Sequence, residues 1–181
     1  TSTGASLSGQ VLNTGSFSKE SKFEVGVFNA AMPIDVNSFY GLSPIKNIEQ
    51  AENSGPFNFP ALPPNAAYQV FLAISNFETF PEYVSIRDIV DNLSVPAAGV
   101  NLTYSSAGGT IQGKVLDSAA KPVLGAQIFV LRQSDNRFMG YAASNENGDY
   151  KLYNFQPGAY NVIATHPKYP DSLPVQIAVA D

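Results

Sequence analysis

The chain has 181 residues and a formal net charge of −5, and only 14% of its residues are charged, with Lys and Arg scattered singly along it. No basic patch is available to follow a phosphate backbone, which argues against nucleic-acid binding. There is no cysteine, so disulfide staples, thiolate zinc sites and cysteine nucleophiles are excluded together. The longest apolar run, Val70 to Ile74, falls far short of the roughly 20 residues that span a bilayer, and membrane insertion is not expected. Low charge with abundant Asn, Ser, Gly, Pro and aromatics is the composition of β-rich extracellular modules. A secreted or cell-surface location is therefore expected. Thr1 does not open a signal peptide, so a leader and neighbouring domains are expected outside this segment.

In chain order, the apolar residues alternate with polar ones at a period of two, the pattern of strands with one buried face. "LSGQVLN" (Leu7 to Asn13) is followed by "FEVGVFN" (Phe23 to Asn29), a long middle stretch from Ala31 to Ser54, and "GPFNFPALPPNAAYQVFLAI" (Gly55 to Ile74). "VSIRDIVDNL" (Val84 to Leu93) could form a helical turn or two, but its β-branched content favours a strand. "TYSSAGGT" (Thr103 to Thr110) is a Ser/Gly joint. After it the order repeats. "IQGKVLD" (Ile111 to Asp117) aligns with Leu7 to Asn13, and "AQIFVLR" (Ala126 to Arg132) with Phe23 to Asn29. "GDYKLYNFQPGAYNVIAT" (Gly148 to Thr165) aligns with Gly55 to Ile74. Within that last pair Gly55 matches Gly148, Phe57 Tyr150, Leu62 Phe155, Pro64 Pro157 and Tyr68 Tyr160. The reading is all-β: two tandem antiparallel sandwiches. The first spans 1–105 with an insertion around 31–54, and the second spans 106–181. Alternation places Val11, Val27, Phe57, Leu62, Tyr68, Val70, Val115, Ile128, Tyr150, Leu152, Phe155, Tyr160, Val162 and Ile177 in the cores.

The second copy resembles the carboxypeptidase regulatory-like domain. "GKVLDSAAKPVLGAQIFV" carries Gly113, Pro122, Gly125 and Ala126 in the family's G-x-V … P-L-x-G-A-x-V pattern, and "NENGDYKLYNFQPGAYNV" follows its D-x-x-G-x-Y-x-L-x-x-L-x-P-G-x-Y. The resemblance implies a seven-stranded, Greek-key, prealbumin-like sandwich. The first copy is a diverged version that keeps Gly9, Phe57, Leu62, Pro64 and Tyr68 but lacks the P-x-x-G-A element. The motif also has a physical reading of its own. Asn147-Gly148 supplies a positive φ for a tight turn, Asn145 can bond its own backbone, and Tyr160 can bury its ring while its hydroxyl finds a partner near the loop.

Each candidate for chemistry has a structural competitor. Asn145, Glu146, Asn147 and Asp149 could suggest calcium, but Gln156 stands where a helix-loop-helix site needs its bidentate Glu. A turn is the expected reading, with no metal and no cofactor. Bacterial pilin and collagen-adhesin stalk repeats are similar to this motif, and that resemblance raises a Lys–Asn isopeptide at Lys114. The last strand offers no Asn, and Thr165 stands where the acid belongs, so Lys114 reads as an outward strand residue. The hydroxyisourate hydrolases, which resemble transthyretin, depend on several His and Arg residues; here His166 is the sole histidine. The acid pairs Glu49/Glu52 and Asp88/Asp91 suit glycoside chemistry only if they face one another across a cleft. No enzyme is expected. The sequons at Asn92 and Asn101 carry little weight in an Asn-rich chain.

The resulting expectation is a non-catalytic extracellular or cell-surface module pair, a stalk, spacer or adhesion element of a larger protein. The alternative is a carbohydrate-binding accessory module of a polysaccharide-utilisation or degradation system, with ligand residues Phe39, Tyr40, Phe80 and Tyr83 on two aromatic-bearing loops. The partner would be a glycan or another surface protein.

Overall fold

The structure is a computed structural model that describes residues 4–15, 21–30, 39–44, 54–105 and 108–180. Every regular element among them is a strand: β1 (Ala5–Asn13), β2 (Lys22–Asn29), β3 (Phe39–Pro44), β4 (Ser54–Leu62), β5 (Ala67–Asn76), β6 (Tyr83–Ser94), β7 (Ala97–Tyr104), β8 (Gly109–Lys114), β9 (Gln127–Arg132), β10 (Phe138–Ala143), β11 (Asp149–Phe155), β12 (Gly158–Thr165) and β13 (Val175–Val179). Val84 to Leu93 is strand, as its β-branched side chains require. No helix is long and apolar enough to cross a membrane among the described residues.

Contacts divide the chain into two compact units: Thr1–Ile74 with Arg87–Ser106, and Ser75–Ile86 with Ala107–Asp181. In the first unit one sheet has the order β4-β1-β7 and the other runs β6-β5-β2-β3. Alternation along β1 and β4 sends Leu7, Val11, Phe57, Phe59 and Leu62 inward, where they meet Val25, Val27, Tyr68, Val70 and Leu72. Each such fully buried aliphatic side chain contributes about 1.5–3 kcal/mol of transfer free energy. One pair departs from the antiparallel expectation: β7 runs parallel to β1, with Gly9 beside Val100, Val11 beside Leu102 and Asn13 beside Tyr104. It adds Val100, Leu102 and Tyr104 to the core.

In the second unit β11 pairs with β8, and the facing sheet runs β13-β12-β9-β10, extended by Tyr83, Val84 and Ser85 of β6 against β10. The strand orders of the two units correspond. So do their irregularities. In the first unit the β1–β4 register passes from Leu7–Phe59 to Ala5–Leu62, and in the second the β8–β11 register passes from Ile111–Leu152 to Gly109–Phe155. Each shift inserts one extra residue, as a β-bulge does. The residue before the bulged apolar side chain takes a positive φ in both, 60° at Ala61 and 66° at Asn154. The Tyr68 hydroxyl donates to the Pro63 carbonyl (2.6 Å), and the Tyr160 hydroxyl donates to the Gln156 carbonyl (2.8 Å). Each acceptor is the residue before the matched proline.

Of the residues expected in the cores, Val115, Tyr150 and Ile177 are only half-buried, and the others are buried. The register shows why. Tyr150 pairs with Gly113 across β8–β11, and a Cβ on Gly113 would lie 2.6 Å from the Tyr150 hydroxyl, so the ring spreads over the glycine. Its counterpart Phe57 covers Gly9 in the same way but is 3% exposed, because β7 runs alongside. Ile177 lies on β13, which pairs with β12. No counterpart of β7 pairs with β8 among the described residues.

Candidate functional site

The polar turn before β11 is held by one side chain. The Asn145 carboxamide oxygen accepts the backbone N–H of Asn147 (3.0 Å) and of Asp149 (2.9 Å), while the Asn145 carbonyl accepts from Gly148 N–H (2.9 Å). Gly148 has φ 75°, and a Cβ there would strike the Val115 carbonyl at 2.5 Å, so glycine is required on both counts. The oxygen that a cation would need is already an Asx-turn acceptor. Lys114 reaches back to the same turn, with Nζ 2.7 Å from Asp149 Oδ1 and 2.7 Å from the Asn147 carbonyl. It is an outward strand residue in an exposed ion pair, and β13 supplies no Asn to it.

The P-x-x-G-A element is locked by Ser144, which is 3% exposed. Its hydroxyl donates to the Val123 carbonyl (2.6 Å) and accepts from the Ala126 N–H (2.9 Å). A buried, doubly used hydroxyl fixes this loop over the core. The alternating pattern alone did not single out Ser144.

Of the aromatic ligand candidates, Phe80 and Tyr83 differ in exposure. Phe80 is half exposed, and its neighbour Phe77 is similarly exposed, in the 77–82 loop. This loop is organised by the buried Asn76, whose Oδ1 accepts the N–H groups of Glu78 (3.1 Å) and Thr79 (3.4 Å). Tyr83 is buried instead, its ring edge-on to Tyr153 with centroids 5.6 Å apart. Strand alternation turns it inward, and a ring in that position cannot stack on a sugar. Phe39 and Tyr40 stand in β3, and their side chains lie outside the described residues, as do Glu49 and Glu52. The Asp88 carboxylate accepts the N–H groups of Ile89 (2.9 Å) and Thr103 (2.7 Å).

A cleft of about 330 Å³ opens in the second unit, lined by Val115, Asp117, Val123, Ala126, Ala164 and the loop bearing His166 and Tyr169. Its titratable groups hold turns. Asp117 Oδ1 accepts the N–H groups of Ala119 (2.8 Å) and Lys121 (2.9 Å), and His166 Nδ1 accepts from Lys168 N–H (3.1 Å). The walls are mainly apolar, so the cleft suits a hydrophobic side chain better than a reaction. Elsewhere on the surface, Arg132 forms a fork on Asp135 (3.0 and 2.6 Å), and that hydrogen-bonded guanidinium holds the Asp135 carboxyl at about 2. Burial raises the Tyr150 phenol above its ordinary value, which leaves it protonated and unsuited to act as a base near neutrality.

Three solved structures are similar to nearly the whole chain. They are the Bacillus anthracis TIE protein (10% identity, TM-score 0.38, 98% of this chain and 32% of that one), the streptococcal ancillary pilin (11%, 0.36, 98% and 59%) and the pilus backbone from Streptococcus pneumoniae (7%, 0.33, 99% and 58%). The chain thus spans between about a third and three-fifths of their lengths. Likenesses at these TM-scores decide nothing about role. No curated protein matches the sequence. The sequence of residues 110–181, which holds β8 to β13, matches the carboxypeptidase regulatory-like domain.

Proposed function

We propose that the chain is a non-catalytic pair of prealbumin-like sandwiches serving as a spacer or adhesion element of a larger secreted or surface protein. Residues 1–105 are then a diverged copy of the domain that residues 106–181 carry. The observation that supports this most is that the marked residues of the motif are occupied in folding. Asn145 and Gly148 build a turn, Ser144 locks a loop, and Tyr160 ties its hydroxyl to the chain before Pro157. The first copy repeats the Tyr68 hydroxyl bond, the bulge and the strand order.

The carbohydrate-binding alternative draws no support from the comparisons, and the burial of Tyr83 removes one of its rings. The test is replacement: in the full-length protein, this segment is exchanged for an unrelated pair of β-sandwiches of equal length. A spacer predicts that surface display and activity of the flanking domains persist. Loss of attachment to a target surface, with display intact, would assign the adhesive role. Turnover of any substrate by the purified segment would overturn the reading.

A further inference from the structure

We propose that Asn147 is a self-modification site, an asparagine that converts to aspartate and isoaspartate by attack of the Gly148 backbone nitrogen, and that Asn145 and Lys114 hold this reaction closed in the folded turn.

Asn147-Gly148 is the only Asn-Gly pair in the chain. Asn147 is exposed, and among the described residues no hydrogen-bond partner engages its carboxamide. Glycine permits the chemistry, because without a Cβ no side chain obstructs the approach of its nitrogen to the preceding residue. In the first step a bond forms between Gly148 N and Asn147 Cγ and the Cγ–Nδ2 bond breaks. Ammonia leaves with the proton that Gly148 N gives up. Water then opens the five-membered imide. Opening at the side-chain carbonyl gives aspartate, and opening at the backbone carbonyl gives isoaspartate, in which the chain runs through the side chain. Water is the only co-reactant. In the first unit the matching pair is Ser54-Gly55, which has no carboxamide to lose.

The folded turn withholds the nucleophile. The Gly148 N–H, whose proton must leave, donates to the Asn145 carbonyl (2.9 Å). Lys114 Nζ donates to the Asn147 carbonyl (2.7 Å), the Val115 N–H donates to the Gly148 carbonyl (2.8 Å), and the Asp149 N–H donates to Asn145 Oδ1 (2.9 Å). Both peptide groups that flank Gly148 are thus bonded at donor and acceptor alike, so its nitrogen cannot swing toward Cγ until the turn opens. Space is short as well. Gly148 is buried, with the Val115 carbonyl 2.5 Å from where a Cβ would sit. Isoaspartate lengthens the backbone between residues 147 and 148 by one atom. Asn145 Oδ1, which bridges the N–H groups of Asn147 and Asp149, then loses its spacing, and the turn that leads into β11 does not reclose.

The test ages the intact chain in mildly alkaline buffer, folded and in guanidinium chloride. Peptide mapping follows the exchange of amide for carboxyl at Asn147, with aspartate and isoaspartate counted together. Conversion should be at least about tenfold slower in the folded chain than in denaturant. Asn145→Ala, its fold checked by amide NMR, should convert at least about tenfold faster than the folded wild type, whereas Asn145→Asp, which keeps an acceptor oxygen, should stay within about threefold of it. Equal rates in the folded and the denatured wild type overturn the proposal, whether or not the alanine variant folds. So does a folded Asn145→Ala chain that ages as slowly as the wild type. Absence of conversion at Asn147 even in denaturant overturns it too, since the turn would then have no reaction to restrain.

Discussion

The two units differ most usefully at one strand. The first closes its smaller sheet with β7, and Phe57 beneath it is 3% exposed. The second has the same turn, bulge and tyrosine bond, but no strand pairs with β8 on that side among the described residues, and Tyr150 stays half-buried. Burial of an alternating strand is thus not a property of its own pattern. It depends on whether a sequence-distant strand covers the face.

The largest effect that would break this comparison concerns the aromatic residues. Tyr104→Ala removes a fully buried ring and should cost about 3–5 kcal/mol in chemical denaturation, as large aromatic truncations in cores do. Tyr150→Ala, at a half-buried site, should cost clearly less, on the order of 1–2 kcal/mol. Equal losses would mean that both sandwiches are closed to the same degree. Next comes Ser144→Ala, which leaves the Val123 carbonyl and the Ala126 N–H without their partner in a buried loop. The expected loss is about 1–3 kcal/mol in thermal or urea unfolding. A neutral result would show that the loop does not need this lock.

Smaller and more diagnostic are Tyr68→Phe and Tyr160→Phe. Each deletes one hydroxyl-to-carbonyl bond at matched positions, so each should cost about 1 kcal/mol. A large disparity between them would argue against the correspondence of the units. Smallest is the surface fork. Asp135 titrates at about 2 because of its bond to Arg132. A depressed carboxylate contributes stability above its ordinary value of 3.8 and loses it as pH falls through about 2. Arg132→Gln should therefore move the Asp135 titration, read by NMR, back toward 3.8, with little change in stability at pH 7.

Much of this was legible in the sequence because it is local. Asn147-Gly148 and Pro157-Gly158 specify turns through backbone conformation, and Tyr68 and Tyr160 follow the prolines beside their acceptors within a few residues. The matched positive φ at Ala61 and Asn154 had no signal, since neither side chain demands it. Ser144 was missed because a serine beside a turn looks like any other until the Val123 carbonyl and Ala126 N–H converge on it. Tyr83 read as a loop aromatic but falls on the inward phase of β6. The cleft was invisible because its walls, among them Val115, Val123, Ala126 and Ala164, come together only when separate strands and loops are placed against one another.

The contrast between β1, beside which β7 pairs, and β8, beside which only β11 pairs among the described residues, is tested most directly by amide hydrogen exchange on this 181-residue segment. The account predicts strong protection for the Ser8 and Gln10 amides of β1, which lie where β7 pairs, and fast exchange for the matching Gln112 and Lys114 amides of β8. Equal, strong protection at all four would contradict it.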